Sequence, residues 1–208
     1  HVTGEAIYVD DMPEPSGMLW AQVVASPVAK GVLKQIRIDA ALQITGVVQV
    51  FTAEDIPGDN QIGPIFHDEP LLADQEIHCV GQAMALVVGE SMAACQAGCD
   101  AVVVDIQAQK PILDMQDAID QASFQLTPHV IARGDVEKEL KKATHNISGM
   151  FQNGAQDHFY LETHAALVVP RENGGFAIAS STQHPTEVQA KVAEVLGIGR
   201  HQITVDVP

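Results

Sequence analysis

The sequence predicts an α/β protein of the mixed, α+β kind, and three observations carry that reading. Short apolar runs of strand length alternate with a few helical patterns along 208 residues. Hydrophobic residues make up 46% and charged residues 18%, a globular composition in which Pro and Gly punctuate the chain without forming a repeat. The clearest helical pattern, starting at Pro185, has strand patterns on both sides of it.

The elements follow in order. Pro13, Pro15 and Gly17 break an extended opening, and residues 19–25 are apolar and short enough for a buried strand. Further strands are expected at residues 32–38 and 47–51. Thr52 with Asp55 three positions later predicts a capped helical turn, stopped by Pro57 and Gly58. Residues 58–71 read as loop. The MALVV run within residues 79–89 predicts a strand, residues 90–100 a helix with closely packing Ala93, Ala94 and Ala97, and residues 101–106 a strand. Those three together make a compact α/β unit. A short helix is expected at residues 114–119. The chain then loosens from about Asp120 to Lys142, where Asp135 is placed to cap a short acidic helix. A domain boundary is expected here, dividing the chain into residues 1–120 and 121–208.

Strands are expected again at residues 146–151, 165–170 and 176–180. The Glu172-Asn173-Gly174-Gly175 turn joins the last two as a hairpin. In HPTEVQAKVAEVLGIG, Val188, Val192, Val195 and Leu196 recur on one helical face. Pro185 suits the first turn and Gly197 a left-handed stop. Ile203, Val205 and Val207 alternate as a last strand.

Charge narrows the partners. There are 27 acidic and 11 basic residues, a formal charge of -16. Such a surface repels phosphate backbones and anionic lipid, so neither nucleic acid nor membrane is expected. No apolar run approaches the roughly 18 residues of a membrane span, and the opening lacks the pattern of a signal peptide. Cys79, Cys95 and Cys99 are a poor disulfide framework. Cys95 and Cys99 share a helical face but lack further ligands for a metal. All three are expected as buried structural thiols, in a reducing cytoplasm.

Candidate sites are few. Asp157, His158, Glu162 and His164 are the densest polar group; in a strand the last three share a face and Asp157 points opposite. Their spacing matches no defined metal motif, and a hydrogen-bonded strand entry explains them as well. Ser180 or Ser181 with His184 lacks the elbow of a serine hydrolase. VVGES, at residues 87–91, joins a strand to a helix start and reads as a structural turn, with no dinucleotide or triphosphate motif anywhere. The Asn146 sequon matters only in a secreted chain. What stands out is a polar strand-to-helix junction, SSTQHPTE.

Five ordered blocks carry a resemblance. HVTGEAIYVDDMPEP opens the chain, and DEPLLADQEIHCVGQAMALVV covers residues 68–88. ARGDVEKEL starts at Ala132, GAQDHFYLETHAALVVP at Gly154 and SSTQHPTEVQAKVAEVLGI at Ser180. Together they resemble the molybdenum-binding subunit of the xanthine dehydrogenase and aldehyde oxidase family, on its xanthine dehydrogenase side. The resemblance implies a small hammerhead-type domain over residues 1–120 and the first part of a molybdopterin-binding domain over residues 121–208. It implies an enzyme that hydroxylates xanthine or hypoxanthine with water-derived oxygen, using molybdenum-molybdopterin. Electrons leave through [2Fe-2S] clusters and FAD, in other domains or subunits, to NAD. The implied partners are those domains, the remainder of the molybdenum subunit and the purine.

Gln183 is the residue carried over: at the matching family position a glutamine amide hydrogen-bonds an oxo ligand of the molybdenum. Asp157 departs from the family block, where glutamate is usual. The resemblance also implies that the chain is an N-terminal portion. The glycine-rich cofactor loop, the substrate-binding glutamate and arginine and the general-base glutamate are expected beyond Pro208. No catalytic residue and no metal ligand is therefore assigned, and alone the chain is expected to be inactive and to bind no cofactor. Another molybdenum hydroxylase such as an aldehyde oxidase, or an inactive scaffold fragment, is the alternative.

Overall fold

The computed structural model describes residues 2–172 and 174–208. Contacts divide it into two units, one holding the chain to Pro111 together with Leu161–Pro208, the other Ile112–Tyr160.

The first unit is built on three sheets. Strands β1 (Trp20–Ala25), β2 (Gly31–Arg37), β3 (Val47–Phe51), β4 (Glu76–Ile77), β5 (Ala83–Gly89) and β6 (Val103–Ala108) form two of them. In the first, β5 lies between β1 and β3, antiparallel to both. A central strand is shielded on both sides, which is why β5 carries the most apolar run of the chain: Met84, Ala85 and Val87 are almost wholly buried. In the second, β2 lies between β4 and β6, again antiparallel. Val24, Val50, Ala73 and Ile77 join the β5 residues in one core, and Leu33, Ile36, Val104 and Ile106 from the second sheet pack against it.

Helix α1 (Met92–Ala101) starts at Ser91, whose Oγ accepts from Ala94 N at 3.2 Å. It lies close against the first sheet at Gly98, where a Cβ would stand 2.7 Å from Val87 Cγ1 and 2.9 Å from Val47 Cγ2. The β5-α1-β6 stretch is thus not one unit of a single sheet, because β6 leaves to pair with β2. The expected turn at residues 52–55 is present as a short 3-10 helix, with Thr52 N donating to Asp55 Oδ2 at 2.7 Å. Two-residue β4 lacks any periodic signal and was not foreseen.

The third sheet holds β7 (Ala166–Pro170), β8 (Phe176–Ser180) and β9 (Ile203–Asp206). The β7–β8 hairpin is antiparallel, and β8 pairs with β9 in parallel after helix α4 (Pro185–Leu196). A parallel return needs a crossover, and α4 supplies it. Ile178, Ala193 and Ile203 are the buried centre, with Val192 and Val205 against them. Gly197 ends α4 at φ +66°.

In the second unit, Asp114 caps helix α2 (Met115–Asp120) and Asp135 caps helix α3 (Val136–Lys142). Residues 146–151 form no strand: Ile147, Met150 and Phe151 are at least 92% exposed and no described strand pairs with them. An apolar run without a partner ladder stays irregular. The same holds for residues 157–164, so the shared face expected of His158, Glu162 and His164 does not form.

Candidate functional site at the strand-to-helix junction

The junction between β8 and α4 is held by its own backbone. Ser181 N donates to Ala165 O at 3.0 Å, and Ser181 Oγ accepts from Ala165 N at 2.9 Å and donates to Thr163 O at 2.7 Å. These bonds extend the β7–β8 ladder past Ser180. Thr182 N donates to Ser180 O at 2.9 Å and His184 N to Thr182 Oγ1 at 3.1 Å, which turns the chain. Pro185 then occupies the first helical turn, where its missing N–H costs nothing. On the helix, Gln189 Nε2 donates to Ile203 O at 2.8 Å and ties α4 to β9.

Gln183 sits at the centre of this turn. Its side chain is exposed, and its carboxamide makes no hydrogen bond to a described residue. The junction therefore presents an uncharged carboxamide, donor and acceptor, from a turn held by the N–H groups of Ser181, Thr182 and His184. An uncommitted amide donor of this kind fits an acceptor atom of a bound cofactor, and its protonation does not change with working pH. The turn was legible as a polar junction; that its neighbours leave the Gln183 amide free was not.

The other candidates are placed differently. Ser181 spends its hydroxyl on backbone, as above, and no hydrogen bond links Ser180 or Ser181 to His184. Glu162 Oε1 accepts from Val9 N at 2.6 Å, tying the opening of the chain to the segment before β7. Asp157 Oδ1 accepts from Phe159 N at 3.2 Å. Among the described residues, no three His, Cys, Asp or Glu side chains are grouped to hold a metal ion. The VVGES turn is structural, with Glu90 N donating to Gly46 O at 2.8 Å and Ser91 capping α1.

The cysteine expectation needs correction. Cys95 is buried, but Cys99 is half-buried and Cys79 is exposed. Cys79 precedes the turn at Gly81 and lies outside β5, so it escapes the core. Burial pushes the Cys95 and Cys99 thiols up. Among the described residues no helix is long and apolar enough to cross a membrane.

Comparison with known proteins identifies the frame around this junction. Residues 3–110 match the family model "aldehyde oxidase and xanthine dehydrogenase, a/b hammerhead domain". Residues 121–208 match the molybdopterin cofactor-binding domain. The xanthine dehydrogenase of Dictyostelium discoideum is 39% identical over 202 residues, covering 97% of this chain and 15% of that protein. That of Drosophila pseudoobscura pseudoobscura is 37% identical over 204 residues, with coverage of 97% and 15%. The xanthine dehydrogenase/oxidase of Gallus gallus is 35% identical, covering 98% of this chain and 15% of that protein. The chain thus spans about 15% of the length of these curated relatives. The fold is that of the aldehyde oxidoreductase from Desulfovibrio gigas, with a TM-score of 0.86 and 24% identity over 99% of this chain and 25% of that one. Quinoline 2-oxidoreductase from Pseudomonas putida 86 gives 0.83 at 24% identity, over 100% of this chain and 28% of that one.

Proposed function

Because the chain belongs to the aldehyde oxidase and xanthine dehydrogenase family, we propose that it is part of the molybdenum-binding subunit of a xanthine dehydrogenase. The observation that carries this reading is identity of 35–39% to xanthine dehydrogenases along nearly the whole chain. The complete enzyme hydroxylates xanthine and hypoxanthine with oxygen from water. Its electrons pass through iron-sulfur clusters and FAD, held by other domains or subunits, to NAD. The molybdenum-molybdopterin group, when bound, supplies the two-electron oxidation. A cytoplasmic setting suits the free thiols of Cys79, Cys95 and Cys99.

In this chain, Gln183 is the residue directed at the cofactor, donating its amide hydrogen to an acceptor on the molybdenum. The uncommitted carboxamide on a braced turn supports that role. The hammerhead domain is assigned to residues 1–120 and the start of the molybdopterin-binding region to residues 121–208. The gap between the matched stretches, from 110 to 121, supports a junction there.

The test is steady-state turnover by the complete, molybdenum-replete enzyme. Xanthine and hypoxanthine should be hydroxylated with reduction of NAD, and at a higher kcat/KM than simple aldehydes. Turnover of aldehydes without turnover of either purine would overturn the reading.

A further inference from the structure

Helix α4 is held at its far end by a segment more than a hundred residues earlier in the chain. Gly58 N donates to Val195 O at 2.9 Å and Asp59 N donates to Glu194 O at 3.0 Å. Both carbonyls belong to the last helical turn, where the i+4 donor is missing; Glu194 O also accepts from Gly197 N at 3.2 Å. The fit tolerates no side chain at residue 58. A Cβ there would run into the Glu194 carbonyl oxygen and stand 2.7 Å from Gly197 N and 2.8 Å from Val195 O. The obstacles are backbone atoms, so they cannot swing aside.

The donor loop is itself braced on both sides. Before it, Thr52 N and Oγ1 both donate to Asp55 Oδ2, at 2.7 and 3.0 Å. After it, Asn60 Nδ2 donates to Leu72 O at 2.8 Å and Asn60 Oδ1 accepts from Leu72 N at 3.0 Å. Leu72 is 5% exposed and Ala73 is in the main core, so Asn60 ties the loop to a buried segment packed in the core of the first two sheets. The loop is thus hydrogen-bonded on both sides, and α4 (Pro185–Leu196) runs from it to the turn that carries Gln183.

We propose that Gly58, Asp59 and Asn60 form a positioning latch: Gly58 and Asp59 cap the C-terminal end of α4, Asn60 ties their loop to Leu72, and together they set where Gln183, at the other end of the helix, stands against the cofactor. Gly58 is a positioning residue here, acting through the helix without touching the reacting atoms. The proposal rests on the reading of Gln183 given above. It adds that the first two sheets contribute to the cofactor-facing geometry through this one loop.

The experiment compares the complete enzyme carrying Gly58→Ala, Asn60→Ala, Gln183→Ala, or Gly58→Ala with Gln183→Ala. Three quantities are read: molybdenum content, the paramagnetic resonance spectrum per bound molybdenum, and amide hydrogen exchange over residues 185–197 in cofactor-free protein. Gly58→Ala should speed exchange in the last turn of α4 about 10-fold and shift the spectrum in the direction that Gln183→Ala shifts it. Added to Gln183→Ala, it should change the spectrum no further, because the group it positions is gone. Asn60→Ala, which adds no atoms at the contact, should give the same changes more weakly, so a folding failure of Gly58→Ala leaves the test intact. A shifted spectrum in Gln183→Ala beside a wild-type spectrum in Gly58→Ala and Asn60→Ala overturns the latch alone. An additive spectral change in the double variant does the same. A wild-type spectrum in Gln183→Ala overturns the cofactor reading of Gln183, and the positioning role with it, while exchange in Gly58→Ala still reports the mechanical contact separately.

Discussion

Gln183 and Glu194, near the two ends of α4, show how much one side chain can do. In the role proposed for Gln183, Gln183→Glu keeps the shape but removes the amide donor and would set a carboxylate against an electron-rich acceptor; Gln183→Ala would only remove the donor. Loss of one well-placed donor beside a metal typically costs about 10-fold to 100-fold. Rates per bound molybdenum should therefore fall in both variants of the complete enzyme, further for Gln183→Glu. Wild-type rates in both would leave Gln183 a helix-entry residue only. Glu194 is a matter of stability. The hydrogen bond from Lys191, at 3.0 Å, holds its carboxyl below the usual range, and Arg200, also at 3.0 Å, adds to it. A lowered folded-state pKa stabilises the protein while the carboxylate is charged, above the ordinary titration near about pH 4.3, and the benefit is lost as pH falls through the folded value. Glu194→Gln should cost about 0.5 kcal/mol at pH 7, as expected of a partly exposed pair. The deficit should shrink as pH falls through the lowered folded-state titration of Glu194, read in urea titrations of the 208-residue polypeptide at successive pH values; a deficit unchanged with pH would assign it to packing.

At the scale of elements, α1 is seated closely on the first sheet. Gly98 faces Val87 and Val47 with no room for a Cβ, so Gly98→Leu must lift the helix or displace both valines. Overpacking of this kind costs about 2–3 kcal/mol, against a gain of about 1 kcal/mol in helix propensity over glycine. The expected result is a net loss of about 1–2 kcal/mol, read as a lower denaturation midpoint at unchanged slope. An equal or higher midpoint would show that α1 is not pressed against β5. The helices also show what local pattern conveys. Ser91, Asp114 and Asp135 cap where a capping residue precedes a helical run, and Pro185 and Gly197 bound α4 as their backbone preferences require. The apolar stripe of α4 pointed to Val188, Val192, Val195 and Leu196, but the residue buried at its centre is Ala193. Burial follows the surface met by the helix, and β8 and β9 bring Ile178 and Ile203 to Ala193.

Across the whole molecule, stability is uneven. Nearly every residue in the unit Ile112–Tyr160 is exposed, and two short helices are its only regular structure. Limited trypsin digestion of the 208-residue polypeptide should cut first between 120 and 142, where Arg133, Lys138, Lys141 and Lys142 lie. The part ending at Pro111 and the part from Leu161 should stay associated afterwards. The bond from Val9 N to Glu162 and those from Gly58 and Asp59 to α4 join them within one unit. First cleavage inside residues 79–106 would contradict this picture.

Most strands and helices, the caps at Thr52 and Asp135, the Gly197 stop and the polar junction at SSTQHPTE are readable in order along the chain, because each depends on neighbours a few positions apart. The role proposed for Gln183 rests on the resemblance of its block to a family, since no periodicity or spacing marks a glutamine for a cofactor. Pairing belongs to another class of information. That β5 lies between β1 and β3, that β6 turns to β2, and that residues 146–151 stay unpaired depends on segments tens of residues away. The same is true of Gly58: along the chain it is a helix stop, and in space it is the one residue small enough to let a loop cap α4. Hydrogen-bond ladders and close backbone approaches are made between distant segments, so their physical cause appears only when the chain has folded.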